Sequence, residues 1–203
     1  MRRISPQIKH WQHGFTLVEV AIIAPVLILT IGAIVTIIVG LTNSSMQTTA
    51  RAELQNDVLA ALDRMEEDVR ISTSISGVGS QLKLDGLATN KNPTDSTRLL
   101  IDKNTCLPAT TGVLRANALQ YTTTYSVAGG MLNRTTALSG CAGNTANVWQ
   151  NLGNELLLEA NTVTLTTTMD GTAAVQITLS AERTVAGETI RYTGKMYTRS
   201  LNN

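Results

Sequence analysis

The sequence predicts an α+β protein in which one long N-terminal helix lies against an antiparallel sheet, and three observations predict it. Almost every position from Phe15 to Leu41 is apolar; the next thirty residues keep a helical apolar period; the region after residue 71 is dominated by Thr, Ser, Gly and Asn with short alternating segments.

The apolar run is interrupted by Thr16, Glu19, Pro25, Thr30, Gly32, Thr36 and Gly40. It exceeds the roughly 20 residues that cross a bilayer and the roughly 7–15 of a secretory signal's apolar region, and no A-x-A type cleavage site follows it cleanly. Arg2, Arg3 and Lys9 precede the run, whereas the first charge after it is Arg51. That asymmetry predicts a single-pass membrane precursor with its N-terminus in the cytoplasm. Pro25 lacks the amide donor that a helix needs, which predicts a kink between residues 22 and 24. Glu19 is the oddity, since an ionised group in a span costs a few kcal/mol unless it finds a partner.

Residues 42–71 continue the helix. Leu54, Val58, Leu62, Met65 and Val69 form one stripe, with Glu66–Arg70 and Arg64–Asp68 expected as ion pairs at spacing four. A continuous helix over 15–71 would measure roughly 85 Å.

Residues 72–203 read as the β-rich domain. Val163, Leu165 and Met169 alternate with threonines, Val175, Ile177 and Leu179 alternate with Gln176, Thr178 and Ser180, and Asp170-Gly171-Thr172 would join the two as a hairpin. Further strands are expected at 98–101, 118–127, 131–136 and 189–199. The segment 82–93 is rich in loop signals and is expected to be a variable or mobile loop. The helical stripe is the natural cover for the sheet's apolar face.

The segment Gly14-Phe15-Thr16-Leu17-Val18-Glu19, after a short basic leader, resembles the processing site of type IV prepilins. The resemblance implies a pilin-like fold divided into a leader (1–14), a membrane and filament-core helix (15–41), its amphipathic half (42–71) and a globular domain (72–203). It further implies cleavage by prepilin peptidase between Gly14 and Phe15, N-methylation of Phe15, and assembly at the inner-membrane platform. Glu19 would pair with the freed amine of a neighbouring subunit, and the N-terminal helices would pack together in a filament. Removal of the leader takes three cations and both histidines, so the formal charge falls from +1 to −2. Pilins often carry a proline where this chain has Thr36. Ala118-Leu119-Gln120-Tyr121 followed by Gly129-Gly130-Met131-Leu132-Asn133-Arg134 is similar to minor pilins and to J-type pseudopilins of type II secretion.

The chemistry-bearing residues are few. Cys106 and Cys141 lie in the exported part and would close a loop of about 35 residues as a disulfide, worth about 3–4 kcal/mol; two buried thiols are the alternative. Asp85, Asn90, Asn92, Asp95, Asp102 and Asn104 offer oxygen ligands for calcium without the spacing of an EF-hand, and solvated loop residues are the simpler account. Asn133-Arg134-Thr135 fits a glycosylation sequon. Arg191, Lys195, Tyr197 and Arg199 share one strand face, a basic stripe fit for DNA or an acidic partner, though a solvated face explains it too. Sixteen basic against fifteen acidic residues set up no global field for nucleic acid. His10 and His13 are the only histidines and sit in the leader, which disfavours a Ser/His/Asp triad, a zinc ligand set and a histidine-activated thiol, and leaves carboxylates as the only remaining catalytic groups. The expectation is a non-enzymatic structural subunit with no cofactor or metal, or an adhesion or DNA-uptake module on such a filament.

Overall fold

The computed structural model describes residues 16–90, 99–109, 115–141, 148, 150–171 and 173–201. Two compact units are distinguished, one up to Ser45 and one from Met46 onward. Helix α1 spans Leu17–Ile71 and continues through Pro25. It contains an 18-residue window of mean hydropathy 2.9, long and apolar enough to cross a membrane.

In the first unit the large apolar side chains from Leu17 to Leu41 are exposed. Thr30, Thr36 and Thr42 donate their hydroxyls to the carbonyls four residues earlier, at 2.7–2.9 Å. These polar groups are thereby satisfied within the helix, which an apolar solvent requires.

In the second unit the predicted stripe is the buried face of α1. Leu54, Val58, Met65 and Val69 are fully excluded from solvent, Leu62 nearly so, and Ala50, Ala61 and Asp68 join them. Eight strands follow: β1 Ser74–Val78, β2 Gln81–Leu87, β3 Gln120–Ala128, β4 Met131–Leu138, β5 Gly153–Glu159, β6 Thr162–Asp170, β7 Ala174–Val185 and β8 Glu188–Arg199. They form two antiparallel sheets rather than one, ordered β1-β2-β3-β4-β5 and β6-β7-β8. One bridge between Gly79 and Thr167 joins them. The main core runs from the helical stripe into both sheets through Leu82, Leu84, Tyr125, Leu132, Leu165, Ile177 and Leu179.

Tight turns set the registers. Gly129 and Gly130 link β3 to β4 with φ of +57° and +79°, as a type I′ turn requires. At Gly86 on β2 a Cβ would come within 2.4–2.6 Å of the outer end of the Tyr121 side chain, so a larger residue requires that tyrosine to shift.

Three expectations need correction, and two strands were not foreseen. The segment 82–93 is no loop at its start: β2 is an interior strand with Leu82 and Leu84 fully buried, because Leu-Lys-Leu-Asp alternates strictly. No strand forms over 99–101; Leu100 and Ile101 make only isolated bridges to Thr89 and Pro108, and Arg98 lies outside the described residues. Strands β1 and β5 escape notice in the sequence, since Ser-Ile-Ser-Gly-Val and Gly-Asn-Glu-Leu-Leu-Leu-Glu alternate poorly. Arg64 pairs with Glu67 at 2.7 Å instead of Asp68, which is turned into the core; Glu66–Arg70 forms at 2.6 Å as expected. The β6–β7 hairpin is present, although Thr172 in its loop lies outside the described residues.

Candidate functional site

At the head of α1, Thr16 and Glu19 satisfy one another. The Thr16 N–H and hydroxyl both donate to Glu19 Oε2, at 2.9 and 3.0 Å, and the Glu19 N–H donates to Thr16 Oγ1 at 3.3 Å. This is a capping box: the side chains of residues three apart each accept from the other's backbone amide and fill orphan donors of the first turn. A carboxylate there also meets the positive end of the helix dipole. Glu19 thus finds a local partner in its own chain, a role the sequence pattern Thr-x-x-Glu could have revealed. Gly14, Phe15, His10 and His13 lie outside the described residues. Pro25 sits inside α1, where the helix is assigned without interruption.

A second polar constellation lies in the core of the globular unit, and the sequence analysis missed it. Arg134 Nε donates to Asp68 Oδ2 at 2.7 Å, and the Tyr125 hydroxyl donates to the same oxygen at 2.6 Å. Tyr125 and Arg134 face each other directly across β3 and β4, so strand register delivers both donors to one helix residue. The guanidinium also donates to the Asn151 carbonyl at 3.2 Å and lies 3.4 Å from Glu155 Oε2 on β5. Burial would ease the proton off Arg134, but the hydrogen bond and charge of Asp68 outweigh it and hold the proton more firmly. Burial, reinforced by Asp68, pushes the Tyr125 hydroxyl well above its ordinary value and that of Tyr121 up to about 12. The signals were present: Asp68 stands three residues after Met65 on the apolar stripe, and Arg134 alternates inward with Leu132 and Thr136.

Cys106 and Cys141 form a disulfide with Cα atoms 5.7 Å apart. Beside it lies a smaller core of Ala88, Ile101, Leu119, Tyr121 and Val148, against which Cys141 packs.

The basic stripe does share the exposed face of β8, with Ile190, Gly194 and Thr198 turned inward. Its charge is partly cancelled. Arg191 is paired with Glu182 across the β7–β8 ladder, and the Tyr197 hydroxyl donates to Asp170 at 2.7 Å, which raises its pKa. Lys195 and Arg199 have no carboxylate partner among the described residues.

The oxygen ligands named for calcium serve the fold. Asp85 accepts from Thr122 at 2.7 Å and Ser74 at 3.1 Å, Asp102 accepts from the Asn104 amide at 2.7 Å, and Asn90 accepts from the Leu99 amide at 2.9 Å. Asn92 and Asp95 lie outside the described residues. Asn133 of the sequon sits on β4 opposite Leu156.

No family model matches the chain, and no curated protein matches it. Among solved structures it is similar to a type IV-like pilin from Thermus thermophilus, with 10% identity, a TM-score of 0.46, and coverage of 73% of this chain and 96% of that one.

Proposed function

We propose that this chain is a structural subunit, a minor one, of a type IV pilus or of a pseudopilus of the type II secretion kind. It is made as a membrane precursor, cut by prepilin peptidase after Gly14, methylated on Phe15, and drawn from the bilayer into a filament by packing of its apolar helix on those of other subunits. The observation that carries this reading is the motif GFTLVE at the head of an apolar helix whose large side chains from Leu17 to Leu41 are exposed among the described residues. An apolar face of that length is stable only in lipid or against other such helices. The capping box adds a physical role for the motif: Thr16 and Glu19 close the helix start, while the carboxylate still offers its charge to the amine of an adjacent subunit.

Intact-mass and N-terminal peptide mass spectrometry of the protein from its own cells tests the reading. A chain beginning at methylated Phe15 is expected; one that retains residues 1–14 would identify a plain signal anchor instead. For assembly, Glu19→Ala is expected to leave cleavage intact and to lower incorporation into sheared filaments.

A further inference from the structure

Strand order leaves the globular unit with two open sheet edges. Strands β1 and β6 are also terminal in their sheets, but the sheets meet there through the Gly79–Thr167 bridge. Strands β5 and β8 each have one strand neighbour, β4 and β7 respectively, and no strand on the other side among the described residues. In an antiparallel ladder alternate residues aim their N–H and C=O groups away from the neighbour, so such an edge presents a row of backbone donors and acceptors ready for a further strand.

The two edges differ in charge. Strand β8 pairs with β7 along its whole length without a bulge and carries Arg191, Lys195 and Arg199 against one acid, Glu188. Glu182 engages Arg191, whereas Lys195 and Arg199 have no carboxylate partner among the described residues. Strand β5 carries Glu155 and Glu159 and no cation. Gly153, Asn154, Glu155 and Leu156 are exposed in succession, where a strand with one face on the core would alternate; the bulge in the pairing with β4 falls beyond them, at Leu157. Glu155 lies 3.4 Å from Arg134, yet its side chain is half-exposed. Two β8 edges brought together would oppose cations, and two β5 edges carboxylates; β5 of one copy against β8 of another opposes unlike charges. The long stems of Lys195 and Arg199 let their charged heads reach carboxylates on either face of an added strand.

We propose that β8 of one copy takes β5 of a second copy as an added strand, held by backbone hydrogen bonds and by Lys195 and Arg199 on Glu155 and Glu159. The two sides of this contact are different surfaces, so each pairing leaves one edge of each copy unused and the series can continue. The inference rests on the filament reading for its purpose, but the contact belongs to the globular unit and requires neither cleavage after Gly14 nor packing of the apolar helices.

Sedimentation of the full chain in nonionic detergent micelles over a range of protein concentrations tests it. The weight-average mass is expected to rise past that of a dimer, and to rise less at high salt. Lys195→Glu combined with Arg199→Glu should weaken association at least tenfold and Glu159→Lys several-fold. An equimolar mixture of the two variants should recover most of the loss, because each then offers the other an edge of opposite charge. Four outcomes would each overturn the proposal: a monomer at every concentration, a mass that levels off at the dimer, association that both variants leave unchanged, which would place it in the apolar helices, or a mixture no stronger than the variants apart. N-terminal mass spectrometry decides the filament reading separately, so a monomeric chain that its own cells cut after Gly14 would remove the edge contact alone.

Discussion

Asp68 and Arg134, 66 residues apart in sequence, meet at 2.7 Å with both side chains almost fully buried, and so tie the helix to β4 of the larger sheet. Removing Arg134 leaves the buried Asp68 carboxylate with only the Tyr125 hydroxyl, and removing Asp68 leaves Arg134 with the Asn151 carbonyl and the looser Glu155 contact at 3.4 Å. Arg134→Met and Asp68→Leu are each expected to cost about 3–5 kcal/mol, whereas a joint replacement by apolar residues of matched volume should recover most of it. Chemical denaturation of the three variants in micelles gives the comparison; additive losses would mean that the pair is not coupled.

The tyrosines give alkaline pH a defined effect. Tyr121 titrates near 12 in the folded chain against about 10 when unfolded, and Tyr125 is shifted in the same direction. A raised folded-state value stabilises fully below the unfolded pKa and is lost as pH rises through the folded one. Unfolding free energy should be flat with respect to these groups up to about pH 10 and decline above it. Tyr125→Phe should flatten the decline, and an unchanged slope in that variant would exclude Tyr125 as its source.

Gly86→Ala is expected to destabilise by about 1–3 kcal/mol, the usual range for overpacking, because the new methyl collides with the Tyr121 ring. The double change Gly86→Ala with Tyr121→Leu should lose less than the two single changes added together. Thermal melts of the three variants measure that interaction.

Reduction of Cys106–Cys141 is expected to cost about 3–4 kcal/mol by the chain-entropy argument. The loss should be local. Amide exchange ought to rise at Ile101 and Leu119 of the smaller core while Leu82, Ile177 and Leu179 of the main core stay protected. Uniform deprotection would show that the two cores unfold as one.

The helix head permits a separation of charge from hydrogen bonding. Glu19→Gln keeps an acceptor for the Thr16 amide and removes the charge; Thr16→Val keeps the charge and removes the hydroxyl that accepts from the Glu19 amide, at about 1 kcal/mol. If charge pairing drives assembly, filament incorporation should fall in the first variant and survive in the second. Equal incorporation of both variants would exclude that role.

Much of this architecture was legible because it rests on periodicity. The stripe from Leu54 to Val69 names the buried helix face, and the alternation in β6 and β7 names their inward residues. What escaped depends on contacts between distant residues. Asp68 looked like an exposed partner for Arg64 because spacing along one helix cannot show a cation arriving from β4. Strand β2 was hidden because glycine and aspartate usually mark turns; here Gly86 makes room for a tyrosine ring and Asp85 accepts hydroxyls from both neighbouring strands. The capping box was legible as Thr-x-x-Glu but was overshadowed by the charge of Glu19 in an apolar run.

The smaller core carries a consequence for how such a chain can diversify. Described residues between β2 and β3 form, with Val148 from beyond β4, a cluster around Ile101 and Leu119 that the disulfide to Cys141 secures, and β3 then pairs beside β2. Its packing is separate from the helix–sheet core. Sequence drift or grafted epitopes in this annex can therefore remodel the outer surface while the helix keeps its seat.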